Sequence, residues 1–260
     1  MDNKLCLPSL DHSPIDIHSH FNHGTAFDTP QTEAHVRDFE FVEAEYKRVG
    51  IAGAGMSSFP AVTHPECIED ENNYLHKLTD QNDIVYQWVV IDPRRKETYA
   101  QAERMLSHPK VLGIKIHPSY HGYELCEFSI ELFSFANERK ATILMHPQKI
   151  SEMPKLVDDY PDMKLIIAHL GSVEHVDAIE NARHGNIYTD TSGGASSLNN
   201  IVEYAVSRIG SQKILFGTDT YSFAFQFGRI ALSSLSFEDK ENILWKNAVT
   251  LFPEAFAEPY

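Results

Sequence analysis

The sequence predicts a single-domain α/β chain, a (β/α)8 TIM barrel spanning residues 1–260, on three observations. Strand-like and helix-like segments alternate about eight times, with no long linker and no shift in composition. The strand-like runs are rich in Val, Ile and Leu on both faces, as a parallel sheet covered on both sides requires. Residues that bind metals or move protons recur at the C-terminal ends of those runs, the end where such barrels keep their chemistry. A length of 260 residues suits a fold that takes about 250. A doubly wound open sheet is the competing architecture, but no glycine-rich phosphate loop follows the first strand.

Each element has its own signal. Residues 1–14 contain Pro8 and Pro14 and read as a lead-in segment. The first strand is expected at 15–20. Its period of two puts Ile15 and Ile17 on one face and Asp16, His18 and His20 on the other. Residues 22–31 read as a loop over the barrel mouth. Val36, Phe39, Val42, Tyr46 and Val49 recur at three- and four-residue steps and predict a helix over 32–49, ended by Gly50. A small-residue strand over 51–56 runs into a loop at 57–60, and a helix is expected at 66–81.

The apolar run 84–91 is the third strand, closed by Asp92 and Pro93, with a helix at 97–107. Pro109 introduces the fourth strand, 111–117, and Ile130, Phe133 and Asn137 space a helix over 126–139. The fifth strand, 141–145, runs into His146 and Pro147. Ser151 is the expected N-cap of a short helix to Tyr160. The sixth strand, 164–168, ends at His169, with a helix at 173–183. The seventh, 187–190, precedes a loop at 191–197 and a helix at 199–209. The eighth, 214–217, ends in Thr218 and Asp219, and one or two helices over 237–252 close the chain. Loops at 21–31, 57–66, 118–125 and 220–230 are expected to set the substrate.

Two imidazoles one pleat apart, His18 and His20, can grip one metal ion at the barrel mouth. The fourth strand adds Lys115 and His117, the fifth His146, the sixth His169, the seventh Asp190 and the eighth Asp219. Any one of these alone is more often an ordinary hydrogen-bonding residue; the ordered set is what points to a site. A divalent ion there would lower the pKa of bound water toward about 7. A histidine beside that water could act as base or acid near neutrality.

Composition narrows the partners. A formal net charge of −15 argues against nucleic acid and anionic membrane. Cys6, Cys67 and Cys126 have no paired spacing and fit free thiols in a reducing cytoplasm. No signal peptide and no membrane-length apolar run is visible. The expected partner is a small-molecule substrate, and a homodimer would be ordinary for such a barrel. Tyr120, His121, Arg94, Arg95, Ser192, Gly193 and Tyr221 lie near the expected mouth. The loop and arginine residues among them are more often solvated or in surface ion pairs.

The motifs Asp16-Ile17-His18-Ser19-His20, Gly113-Ile114-Lys115-Ile116-His117-Pro118, His146-Pro147, Ala168-His169-Leu170-Gly171, Tyr188-Thr189-Asp190-Thr191-Ser192-Gly193 and Phe216-Gly217-Thr218-Asp219 resemble the amidohydrolase superfamily. The nearest branch includes aminocarboxymuconate-semialdehyde decarboxylase and related barrel hydrolases, and the resemblance extends through the tail from Ile243 to Phe252. It implies metal ligation by His18, His20, His146 and Asp219, with Asp219 and His169 handling protons. His117, Lys115 and Asp190 fall to the substrate side. It implies one divalent ion, with Zn²⁺ expected and Mn²⁺ or Fe²⁺ compatible. A second ion bridged by a carboxylated Lys115 is the less favoured arrangement.

These readings lead to an expected metal-dependent hydrolase acting on a small amide, ester or lactone. The alternative is a non-oxidative decarboxylase or lyase of a small carboxylic acid on the same metal site, told apart by release of CO₂. A metal-dependent phosphoesterase is the second alternative, disfavoured by Lys115 and by the charge. A barrel that binds without catalysis is the reading from a different class, and His169 argues against it because a pure binder needs no proton carrier.

Overall fold

Apolar runs flanked by turn residues become strands here because the surrounding helices cover one face of each and the packed barrel interior covers the other. The computed structural model describes residues 11–23 and 34–256. Eight strands run in chain order around one parallel sheet: β1 Ile15–Phe21, β2 Gly53–Ser58, β3 Val85–Val90, β4 Val111–Ile116, β5 Thr142–Met145, β6 Lys164–Ile167, β7 Ile187–Asp190 and β8 Ile214–Leu215. The sheet closes on itself. Ile17 N donates to Phe216 O at 2.9 Å, and Asp219 N donates to His18 O at 2.8 Å. The expected (β/α)8 barrel is therefore what the chain forms.

The barrel interior is packed by Ile15, Ile17, Trp88, Leu144, Ile166 and Leu215. Two larger apolar layers lie between the strands and the surrounding helices. Among the described residues no helix is long and apolar enough to cross a membrane.

Several elements differ from expectation for local reasons. The first described full helix is Phe39–Val49, not 32–49, because the Asp38 carboxylate accepts from Phe41 N at 2.9 Å and caps it there. Most of the expected lead-in and most of the loop at 22–31 lie outside the described residues. Ser151 caps nothing: it sits inside a 3-10 turn, Ile150–Glu152, that runs directly into the helix Met153–Val157. The segment expected as a loop at 220–230 instead contains the helix Phe223–Ala231. Short helices also form at Phe59–Thr63 and Pro118–His121, each opening with a proline in its first turn. The closing segment breaks into Phe237–Glu241, a π turn over Asn242–Lys246, and Asn247–Leu251. There Asn247 Nδ2 donates to Ser211 O at 2.8 Å and to Ile214 O at 2.7 Å, tying the helix to the base of β8.

Two bulges set which side chains face the barrel axis. In β1 the register against β2 shifts between Asp16 and Ser19. The face expected for Asp16, His18 and His20 together is therefore wrong. Ile15 and Ile17 point inward, and the extra residue brings His18 and His20 inward as well. Asp16 and Ser19 face out, where both meet the Tyr46 hydroxyl. The bulge frees the Ile17 carbonyl, and Trp88 Nε1 donates to it at 2.7 Å. Gly55 makes that reach possible, since a β-carbon there would stand 2.9 Å from both the carbonyl oxygen and the indole nitrogen.

In β4 the pairing with β3 jumps from Val111 opposite Gln87 to Gly113 opposite Trp88, so Leu112 is the extra residue. Lys115 and His117 consequently face the axis. Gly113 has φ +151°, and a β-carbon on it would fall 2.1 Å from Thr142 O.

Candidate functional site

The inward residues at the strand ends line one pocket of about 250 Å³. His18 and His20 enter from β1, Lys115 and His117 from β4, His146 from β5, His169 from β6 and Asp219 from β8. Phe59, Tyr120 and Tyr221 form an aromatic rim. His35, Val36 and Val62 also line it. No strand-end pattern could have found these three, because they come from segments outside the barrel.

His18 and His20 are each oriented by a partner behind the ring. His18 Nδ1 lies 3.0 Å from Asp190 Oδ2 and 2.9 Å from Ser192 Oγ. The Asp190 carboxyl is fully buried, which acts to raise its pKa, but His18, His169 and Ser192 together outweigh burial and hold it well below the usual range. An ionised Asp190 accepts, so His18 Nδ1 carries the proton and Nε2 presents its lone pair inward. His20 Nδ1 lies 3.1 Å from Ser57 O and 3.0 Å from Ser57 Oγ; when Nδ1 donates to the carbonyl, Nε2 is left as a lone pair able to ligate.

His20 Nε2 stands 3.2 Å from Asp219 Oδ1, and His18 Nε2 stands 3.7 Å from the same oxygen. Two imidazole nitrogens thus converge on one carboxylate oxygen, and the Asp219 carboxyl is held well below its usual range by His20, His18 and His169 against the opposing effect of burial. Three ligand atoms converging at this distance form a site for a cation, and the Lys115 ammonium already bears on it, 2.7 Å from His18 Nε2. His18, His20 and Asp219 bring their ligand atoms within 4.8 Å of one another. His146 stands outside that group, but its buried Nδ1 has no partner, a position a cation or bound group would answer. The donor set fits one divalent metal ion.

Lys115 is fully buried and its Nζ lies 2.7 Å from His18 Nε2. Burial lowers its pKa to about 8, against the opposing charges of Asp219 and Asp190. Burial, with the charge of Lys115, pushes His18 down to about 3. His117 stacks on His146 with ring centroids 4.0 Å apart, and burial, then His146, lowers its pKa.

His169 and Asp219 share an uncommon backbone, with φ of 65° and 55°. Non-glycine residues in this region are strained and collect at functional sites. His169 N donates to Asp190 Oδ1 at 3.2 Å and Asp219 N donates to His18 O, so the surrounding bonds hold both. His169 Nε2 lies 3.9 Å from Asp219 Oδ2, and His169 Nδ1 is 2.9 Å from Ser192 Oγ.

Asp190 does not line the pocket; it is wholly buried behind His18. Arg94 is tied to Asp92 and to His121 O, and Arg95 forks onto Glu69. His121 is buried against Ala61 O. Sequence reasoning missed Ser57, whose only signal is its place at the end of β2. It also missed the pairing of Asp16 with Thr218, at 2.6 Å, which joins β1 to the turn after β8.

The geometry can be set beside known proteins. A family model described as Amidohydrolase matches residues 15–253. No curated protein matches the chain by sequence. Among solved structures, a dihydroxybenzoic acid decarboxylase from Polaromonas sp. JS666, with bound manganese and the inhibitor 2-nitroresorcinol, superposes with TM-score 0.74 at 16% identity, covering 95% of this chain and 98% of that one. A 5-carboxyvanillate decarboxylase from Novosphingobium aromaticivorans, with manganese and 4-hydroxy-3-methoxy-5-nitrobenzoic acid, gives TM-score 0.74 at 13% identity, covering 94% and 96%. A 2,6-dihydroxybenzoate decarboxylase from Rhizobium gives 0.70 at 15% identity, covering 93% and 99%.

These neighbours overturn the expected hydrolase: they are decarboxylases, and they match the alternative. The physical reason the motifs misled is that imidazole and carboxylate ligands polarise a substrate oxygen whichever bond is then broken. With most of its length matched and its strand-end residues gathered in one pocket, the chain belongs to the amidohydrolase family.

Proposed function

We propose that the chain is a metal-dependent, non-oxidative decarboxylase of a small hydroxylated aromatic acid. The observation that carries it is the facing of His18 Nε2 and His20 Nε2 onto one Asp219 oxygen, with His169 behind the other. The solved neighbours that decarboxylate hydroxylated benzoic acids support the choice of reaction, and manganese in two of them makes it the first metal to test, ahead of the expected zinc.

In this reading His18, His20 and Asp219, with His146, hold one divalent ion. When bound, the ion neutralises and orients substrate oxygens. Lys115 adds a buried positive charge at the floor, complementary to a carboxylate. Phe59, Tyr120 and Tyr221 take the faces and edges of the ring and exclude water. The reaction exchanges a carboxylate for a hydrogen: a proton bonds to the ring carbon, the bond to the carboxyl carbon breaks, and its electron pair stays with the ring as CO₂ leaves. His169 and Asp219 are the groups placed to carry that proton, His169 steadied at Nδ1 by Ser192. His117, packed between His146 and Tyr120, faces the substrate. Asp190 orients His18 from behind.

Manganese-loaded protein incubated with a panel of mono- and dihydroxybenzoates is expected to release one CO₂ per acid consumed. The activity should disappear in His169→Ala and Asp219→Asn. A loaded protein that binds these acids but releases no CO₂ from any of them overturns the reading.

A further inference from the structure

The pocket does not end at the histidines. A second, more open cavity of about 460 Å³ shares His146, His169, Asp219 and Tyr221 with the first. Beyond those side chains it is walled by Pro147, Gly171, Ser172, Gly193, Gly194 and Ala195. The two cavities adjoin as branches of one cleft, with those four side chains as their common wall.

The glycines in this wall differ. Gly193 has φ +70°, and a β-carbon on it would press within 2.9 Å of His169 Nδ1, so the site itself requires it bare. Gly194 has φ −70° and ψ −22°, an ordinary right-handed conformation, and nothing lies within 4 Å of where its β-carbon would be. Neither backbone nor packing accounts for the missing side chain at 194. Its effect is to leave the branch open beside the reacting groups.

The lining also limits what can enter. His175 uses both ring nitrogens, one on Ser172 Oγ and one on Ala168 O, each at 3.1 Å. Among the described residues no lysine or arginine lines this branch. It offers no cationic side chain of its own to a second carboxylate, and small apolar surface with the Tyr221 ring to an uncharged group.

We propose that this branch is a second substrate lobe, and that the substrate is an aromatic carboxylic acid bearing an uncharged, ring-sized substituent. The substituent lies between Tyr221 and the bare backbone at Gly194. This rests on the decarboxylase reading for the carboxylate end only.

The test is calorimetric titration of the full, manganese-loaded chain with 2-hydroxybenzoate, its 4-phenyl and 5-phenyl derivatives, and its 4-carboxy derivative. Burying a ring's apolar surface is expected to make one phenyl derivative bind about tenfold or more tighter than the parent. The 4-carboxy derivative should gain nothing, and Gly194→Phe should erase most of the phenyl advantage. Ala195→Phe, which narrows the branch from a neighbouring position, serves the same purpose if Gly194→Phe fails to fold. A phenyl derivative no tighter than the parent, or an advantage that survives both substitutions, overturns the lobe and leaves the decarboxylase reading standing. If none of the four acids binds, the reading of the carboxylate end falls, and the lobe assignment with it.

Discussion

Asp190 Oδ2 lies 3.0 Å from His18 Nδ1, and both side chains are buried in the closed barrel. The pair links β7 to β1 and aims the His18 lone pair at the pocket. The carboxylate acts through the imidazole and never meets the pocket itself.

Asp190→Asn is therefore expected to weaken manganese binding by about 10–100-fold, the usual effect of losing a partner behind a ligand. Competition against a metal indicator measures it. An affinity equal to wild type, in a variant whose circular dichroism is unchanged, would remove Asp190 from the metal site.

Gly217 is pressed against the same pair. A β-carbon there would lie 2.9 Å from Ser192 Cβ and 3.0 Å from His18 Cβ. Gly217→Ala should cost about 1–3 kcal/mol of stability through overpacking, and it should also lower metal affinity by displacing His18. Urea unfolding and indicator titration read the two effects, and a fully stable, tightly binding variant contradicts the packing.

Trp88 reaches over Gly55 to the Ile17 carbonyl that the β1 bulge frees. Trp88→Phe keeps the ring but strands a buried acceptor, at a cost of about 1–3 kcal/mol. A urea midpoint matching wild type would show that the bulge does not depend on this bond.

The stability of metal-free protein should depend on buried neutral histidines. Burial pushes His121 and His175 below their ordinary 6.5, and it pushes His18 and His146 to about 3 with help from neighbouring positive charge. Between the lowered values and 6.5 the unfolded chain binds more protons than the folded one. Their contribution is thus complete above 6.5 and is lost as pH falls below it. The melting temperature in chelator should drop as pH falls from 7 toward 5, less steeply in His175→Gln. A flat or rising melting temperature over that range contradicts the assignment.

Most of the site could be read from strand ends, because in a parallel barrel the end of a strand is also the mouth. His18, His20, Lys115, His117, His146, His169 and Asp219 all line the pocket from the ends where they were expected. Asp190 was expected beside them and lies behind His18 instead. The outward turn of Asp16 was not legible, since a bulge is a matter of how two strands pair and not of one strand's alternation. Nor was the helix Phe223–Ala231, whose buried stripe of Phe223, Ile230 and Ala231 is interrupted by the polar Gln226.

Sequence by itself determined the barrel, through eight apolar runs at the spacing of strand and helix, and the identity of the inward chemistry at the strand ends. Tertiary structure alone decided which lone pairs face which carboxylate, because that depends on the bulges in β1 and β4 and on closure of β8 against β1. It also decided the two branches of the cleft, where the absence of a side chain at Gly194 matters only because His169 and Asp219 stand beside it.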